Sequence, residues 1–397
     1  FFSQTGNGTT ALILSYMSFA IGYIAGPFGA IFFGHIGDRK GRKVTMYASL
    51  LMMGISTSII GILPPAASAG VGVVIVLQLM RLAQCFGRGG TWGGGILMAY
   101  ENVPENKRSF YAAIPQIGLP IGFGLSSILI AVPTLLLPED IFFTWGWRIP
   151  FLAAIILTLI VIRQKGEMME TEDYKKAQAK LEAEEAEGKK HKVGFIPMVK
   201  GYWKTLLLGC GTRWVDGTFY NIFIVWILSY CINWLGMPLI QTYIITIIAC
   251  IFKIPFTLFG GWCAQKLGNT RTFVIGALAS AVLSIPTLKV IELSKGNLAI
   301  TIIGIVLGWS IAYNLIWAVI SSLWSSYFET EVRYSGISFV YHVPSFLVAG
   351  MVPTICTLLI NYGNGDTIYV GIYSTVVALI SAACALALKA RHDRGEK

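Results

Sequence analysis

Charge is scarce in this chain: Asp, Glu, Lys and Arg make up only 13% of its 397 residues, and there are just 4 histidines. Soluble globular domains carry charge on roughly a quarter of their residues, so a water-soluble enzyme is excluded at the outset. The 7 cysteines, at positions 85, 210, 231, 250, 263, 356 and 384, form no C-x-x-C pair and no metal-ligand spacing, and all lie in or beside apolar runs. They read as small buried hydrophobes, which leaves no case for a disulfide framework or a structural metal. Also missing are a phosphate-binding loop, H-E-x-x-H, G-x-S-x-G, and any G-x-G-x-x-G in a strand-to-helix setting. Gly87-Arg-Gly89-Gly90 and Gly93-Gly94-Gly95 lie inside an apolar run and read as helix-packing glycines. No cofactor, no metal and no enzymatic activity are expected, and any active process would draw on ion or proton gradients and not on ATP.

Hydrophobic residues, by contrast, make up 55% of the chain, with 43 glycines and 11 tryptophans, and the mean hydropathy is +0.67. The apolar segments are 10–34, 44–63, 72–99, 112–137, 149–162, 205–231, 239–262, 273–290, 298–327, 336–360 and 368–388. Most are long enough to cross about 30 Å of hydrocarbon as a helix. Eleven transmembrane helices are therefore expected in an all-α polytopic membrane protein. The breaks carry turn chemistry, such as Pro64-Pro65, Gly236-Met237-Pro238 and Lys295-Gly296-Asn297. Tryptophans at 145, 147, 203, 234 and 262 cluster near segment ends, as an interfacial aromatic belt would.

Lys and Arg set the orientation, because positive loops stay on the cytoplasmic side. With the first residues outside, twenty-three of the 30 Lys and Arg fall in cytoplasmic stretches, and only Arg148, Lys289 and Lys295 fall outside. The C-terminus is then cytoplasmic, and the net charge of +10 reflects topology and attraction to anionic lipid, with no sign of a nucleic-acid surface. Three regions follow: an N-terminal half over 1–162 with five helices, a cytoplasmic linker over 163–204, and a C-terminal half over 205–397 with six. From Glu167 to Lys192 the linker is polar and rich in Ala, Glu and Lys, and reads as a solvated helical connector.

The halves repeat one another. Gly34-His-Ile-Gly-Asp38-Arg39-Lys-Gly41-Arg42-Lys43 is echoed by Gly261-Trp-Cys-Ala-Gln265-Lys266-Leu-Gly268-Asn269, and the Lys107-Arg108 turn by the turn at Arg333. Parallel repeats about an axis along the membrane normal are a transporter architecture. The G-x-x-x-D-R-x-G-R-K run at 34–43 resembles the signature loop of the major facilitator superfamily. The stretches Arg81-Leu-Ala-Gln84, Gly89-Gly90-Thr91-Trp92, Trp145-Gly-Trp147-Arg148-Ile-Pro150 and Val332-Arg333-Tyr-Ser-Gly336 extend the similarity to its metabolite:proton symporter family. That resemblance implies two pseudo-symmetric helical halves and twelve helices, of which the first, with an acidic motif, would precede Phe1. It also implies a cargo among citrate, oxoglutarate, shikimate, dicarboxylates, proline or betaine.

Transport by alternating access needs a gate, a polar midplane site and, for symport, a group that changes protonation. Asp38, Arg39, Arg42 and Lys43, with Gly34 and Gly41 allowing close approach, are the gating candidates. Arg81, Arg88, Arg213 and Lys253 lie within spans, against Asp216 as the one carboxylate clearly inside; these five are the candidates for substrate binding or proton coupling. Arg81 and Arg88 share a helix face seven residues apart. Arg213 and Asp216, at i,i+3, can bond to each other, as a fixed ion pair or as a switchable one. The resemblance assigns Arg81 to proton coupling, and Thr91 stands where the family carries glutamate. Gln116, Tyr220, Asn221, Asn314 and His342 are polar residues that could face a cavity. An excess of cations at membrane depth favours an anionic cargo. The expected function is proton-coupled symport of a small mono- or dicarboxylate by a monomeric carrier in the cytoplasmic membrane. A proline or betaine symporter and a non-transporting membrane sensor are the alternatives.

Overall fold

The computed structural model describes residues 8–64, 70–163, 176, 178–179 and 195–396. Among them the chain is helical throughout. The eleven long helices are α1 (Gly8–Lys40), α2 (Arg42–Ile62), α3 (Val71–Glu101), α4 (Glu105–Leu136), α5 (Gly146–Arg163), α6 (Met198–Asn233), α7 (Leu239–Leu267), α8 (Asn269–Leu293), α9 (Leu298–Ser325), α10 (Arg333–Tyr362) and α11 (Ile368–Asp393). Ten of the eleven are long and apolar enough to cross a membrane over their described residues. The eleventh, α3, is 31 residues long, about 46 Å at 1.5 Å per residue, and carries a run of glycines and two arginines. Apolar side chains such as Leu135, Leu136, Ile156 and Val282 face outward, the pattern of a surface bathed in lipid.

The helix that opens the second half starts earlier than expected. The chain is helical from Phe195, with a kink at Tyr202 where the backbone leaves helical geometry, because Met198 and Tyr202 are apolar anchors that bury on the same side. The polar connector from Glu167 to Lys192 lies outside the described residues.

Within the first half α3 packs on both α1 and α2; within the second, α11 packs on α6 and α8. The halves meet most extensively through two helix pairs, α1 with α10 and α4 with α7. The repeated loops equate α1 with α7 and α4 with α10, so a twofold operation exchanges these two contacts. The repeated glycine sits in both: a Cβ on Gly34 would press on Ser335 of α10, and one on Gly261 would press on Ala113 of α4. Gln265, which replaces the signature aspartate, accepts a hydrogen bond from the backbone N–H of Phe110 at 3.3 Å, so this position also ties α7 to α4. Gly41 has φ of 99° and starts α2, the left-handed conformation that glycine adopts without strain. The side chains of Asp38, Arg39 and Arg42 lie outside the described residues.

The tightest backbone approach in the first half is α1 on α3, where a Cβ on Gly29 would overlap the backbone carbonyl of Phe86. Backbone cannot yield as a flexible side chain does. Gly29→Val should therefore lower the thermal midpoint of detergent-purified protein, at an overpacking cost of about 1–3 kcal/mol. An unchanged midpoint would show that α1 and α3 are not packed this closely.

Candidate functional site

Between the halves lies a cavity of about 370 Å³. Each half contributes one guanidinium: Arg88 from α3 and Arg213 from α6. The rest of the wall is largely aromatic, with Tyr23, Trp92, Phe123, Tyr220, Trp317 and Tyr341. Trp92 of α3 stacks on Tyr341 of α10, with ring centroids 4.1 Å apart, so these aromatics also join the halves.

The two arginines are held differently. The Arg213 guanidinium carbon lies 4.2 Å from the centre of the Tyr341 ring, and the group is ion-paired with Asp216. The second carboxylate oxygen of Asp216 accepts a hydrogen bond from the Tyr313 hydroxyl of α9. Both residues are buried, so Asp216 is fully committed. Arg88 lies over the Tyr23 ring at 4.5 Å and donates one long hydrogen bond, at 3.7 Å, to the Cys85 sulfur. No carboxylate pairs with it among the described residues, and its Nε has no hydrogen-bond partner. Arg88 is only half-buried and opens on the cavity, and a cation withdrawn from water is costly without a counter-charge, so among the described residues the cavity has one unanswered positive charge.

Arg81, one face-turn away on α3, lines a smaller cavity of about 230 Å³ with Gln84, Cys85 and the shared residues Tyr23 and Arg88. The expected common face is therefore present, and Arg88 stands between the two spaces. Gln116 and Trp317 exchange hydrogen bonds between side chain and backbone at 3.1 and 3.0 Å, bridging α4 to α9. Asn221 anchors its amide on the Gly217 carbonyl at 2.8 Å and leaves its Oδ1 without a partner. Tyr220 meets Phe123 of α4 edge-on, with centroids 5.7 Å apart.

Three expected residues stand off this wall. Asn314 braces α9 to α7, accepting from the Thr257 hydroxyl at 3.1 Å and donating to the Lys253 carbonyl at 2.8 Å. His342 is buried against Gly26 of α1. Lys253 is wholly buried behind Trp309 and Tyr313. Thr91 also points elsewhere, donating at 3.0 Å to Ser49 of α2, so the departure from the family's glutamate does not change the charge on the cavity wall.

Several contributors have no signal along the chain. Tyr341 and Tyr23 read as aromatic residues in apolar runs until the helices are assembled. Glu101 and Arg333, 232 positions apart, form a buried pair at 3.1 Å where α3 meets α10. Arg333 also donates to the carbonyls of Ser325 and Phe328 at 3.1 and 3.2 Å. Near the opposite helix ends, Lys289 bridges Glu292 and Asp366 at 3.0 and 2.7 Å. The ammonium of Lys289 and the N–H of Ile368 hold the Asp366 carboxyl below the usual carboxylate range.

In the second half, π-helical segments at Ile222–Trp226, Val306–Ala312 and Phe346–Gly350 adjoin Asn221, Tyr313 and the Tyr341–His342 pair in turn. Widened turns of this kind are frequent at functional sites, and here those of α6 and α10 lie at the cavity-lining Asn221 and Ala349.

The chain is 34% identical to the inner membrane metabolite transport protein YhjE of Escherichia coli K12, covering 99% of this chain and 88% of that protein. It is 30% identical to the shikimate transporter of the same strain, covering 98% and 87%. The proton:xylose symporter XylE bound to 6-bromo-6-deoxy-D-glucose superposes with a TM-score of 0.76 at 16% identity, covering 96% of this chain and 87% of that one; identity this low establishes the shared fold. The Major Facilitator Superfamily family model matches residues 4–353, and the chain belongs to that superfamily of membrane transporters.

Proposed function

We propose that this protein is a proton-coupled symporter of a small organic anion, a mono- or dicarboxylate, working by alternating access across the cytoplasmic membrane. The observation that carries this reading is the pairing of Arg88 and Arg213, one from each half, on a single cavity where the one carboxylate among the described residues, Asp216, is already engaged. A carboxylate bound there answers the free charge on Arg88. A second one, or the other end of the cargo, reaches Arg213 on the opposite half. Bridging the halves in this way is how a cargo can favour the occluded state over either open state. A volume of about 370 Å³ suits a metabolite and is at the small end of ligand cavities.

The buried Glu101–Arg333 pair serves as the closure between α3 and α10, at the end that the Lys and Arg distribution assigns to the cytoplasm. The chain is read as a monomeric carrier, with its C-terminus in the cytoplasm. Arg81, with Gln84 on the adjoining space, is a candidate for relaying substrate or proton toward Arg88.

The aromatic wall also invites comparison with a zwitterion such as betaine, because aromatic cages hold quaternary ammonium groups. Here, however, the Tyr23 and Tyr341 rings already carry the protein's own guanidiniums. Those faces are occupied by positive charge, which favours an anion.

Proteoliposomes with an inward proton gradient should accumulate labelled mono- or dicarboxylates, by about tenfold per pH unit for each coupled proton. A protonophore should collapse the gradient-driven gain, and betaine should not compete. Accumulation of no carboxylate by folded protein would sink the reading. Competition by betaine and proline alone would assign the cargo to zwitterions, and binding without counterflow would mark a sensor.

A further inference from the structure

Lys253 occupies the middle of α7 with a relative exposure of 0%. Its Nζ lies 4.4 Å from the centre of the Trp309 ring and 4.3 Å from that of Tyr313, both on α9, and it has no hydrogen-bond partner. Nearby acceptors are engaged elsewhere: the Lys253 carbonyl receives the Asn314 amide, and the single Thr257 hydroxyl proton is shared between that carbonyl and Asn314 Oδ1. The Trp309 indole N–H is likewise without an acceptor. Two aromatic faces contribute about 2 kcal/mol or somewhat more to a desolvated ammonium, short of the several kcal/mol that burying such an ion costs. An ammonium at this position therefore lacks the compensation that its burial demands.

The ring that covers Lys253 is the same ring whose hydroxyl donates to Asp216. Arg213, Asp216, Tyr313 and Lys253 thus form a line running from the cavity wall into the closed interior of the second half. The ionisable groups around it are Cys250 on the helix of Lys253, Tyr220 on the helix of Asp216, and Tyr341 on α10. His342 and Arg88 lie within electrostatic reach of the Arg213 end. Among the described residues no carboxylate other than Asp216 approaches this line.

We propose that Lys253 is the proton-exchanging partner of Asp216, coupled to it across the Tyr313 ring, and sets the pH dependence of transport without touching the cargo. This rests on the symport reading above. When a cargo carboxylate takes the guanidinium of Arg213, Asp216 loses its ion pair. The Asp216–Tyr313–Lys253 line then accepts one proton from the outer aqueous phase, and its charge rises by one. The cargo's negative charge is matched by Arg213, so one proton accompanies one arginine-bound carboxylate. When the cargo leaves on the inner side, Arg213 returns to Asp216 and the proton departs with it. Lys253 is a positioning and coupling residue in this scheme, since the aromatic rings separate it from the cavity.

Trp309 offers a reporter for the test. Tryptophan emission of the purified protein, titrated with and without Trp309→Phe, should show a Trp309-dependent transition. That transition should vanish in Lys253→Met and move by about one pH unit or more in Asp216→Asn. In proteoliposomes, Lys253→Met should keep KM and counterflow within about twofold while the pH midpoint of uptake moves by about one unit. Should the Met variant fail to fold, Lys253→Gln and Lys253→Arg carry the same readouts. A Trp309 transition that survives loss of Lys253, an unchanged uptake profile, or a tenfold rise in KM with loss of counterflow would each overturn the proposal. If the emission behaves as expected but the wild type accumulates no carboxylate, the symport reading fails and the Lys253–Asp216 coupling stands.

Discussion

Replacing Arg88 by Met should lower carboxylate uptake about a hundredfold or more while leaving the protein as stable as before, or slightly more so. Hydrogen bonds to charged groups contribute about 1.5–3 kcal/mol each, and a bidentate guanidinium–carboxylate contact supplies two. Losing both removes about 3 kcal/mol or more, which is roughly two orders of magnitude in affinity. Stability should respond in the opposite sense, because the wild-type guanidinium is half-buried and has no carboxylate partner among the described residues. An apolar residue of similar length relieves that desolvation cost. Arg88→Lys should recover only part of the uptake, since an ammonium cannot present the planar fork. The decisive comparison is uptake KM against the melting midpoint of detergent-purified protein. A variant that loses stability and uptake in parallel would make Arg88 a packing residue and remove the main support for an anionic cargo.

Asp216→Ala should be among the most destabilising single changes in the second half. The substitution strands Arg213 as a buried, unpaired cation and leaves the Tyr313 hydroxyl without its acceptor. Breaking a buried ion pair from one side costs about 3–5 kcal/mol. The double change Arg213→Met with Asp216→Leu removes both charges and should restore most of the melting midpoint, because a well-packed apolar replacement of a buried pair is often neutral. Transport should stay absent in the double variant, since both the cargo's second anchor and the proton acceptor are gone. Stability and function are thereby separated in one cycle. If Asp216→Ala melts like the wild type, the Arg213–Asp216 pair is not formed in the resting protein, and the ion-pair exchange proposed for coupling has no starting state.

Much of the architecture is legible in the chain because the bilayer makes helix length and loop charge into direct signals. The helix that carries two of the arginines and the packing glycines, α3, has its polar content concentrated where it serves the site. Local pairs were legible too. Arg81 and Arg88 share a face because seven residues span nearly two helical turns, and Arg213 meets Asp216 because i,i+3 neighbours adjoin. The positions of Lys253, Asn314 and His342 were not. In a helix apolar on every side, periodicity does not distinguish the face toward the cavity from the face toward a neighbouring helix. Asn314 therefore turned out to brace α7 and His342 to pack on α1. Thr91 is a similar case, since a residue compared by position alone carries no information about which neighbour it faces.

From the amino-acid order alone come the helices, the internal repeat, the cation excess and the superfamily resemblance, all of which depend on local hydropathy or short motifs. The tertiary structure decided which charges meet. Arg88 and Arg213 share a cavity only because α1–α10 and α4–α7 bring the halves together. Glu101 finds Arg333 across 232 positions, and Tyr313 joins Asp216 to the cage around Lys253 only once α6, α7 and α9 are packed. The physical reason is that charge scarcity is a property of composition, whereas the environment of each scarce charge is a property of helix packing, and it is the environment that makes a buried cation a site.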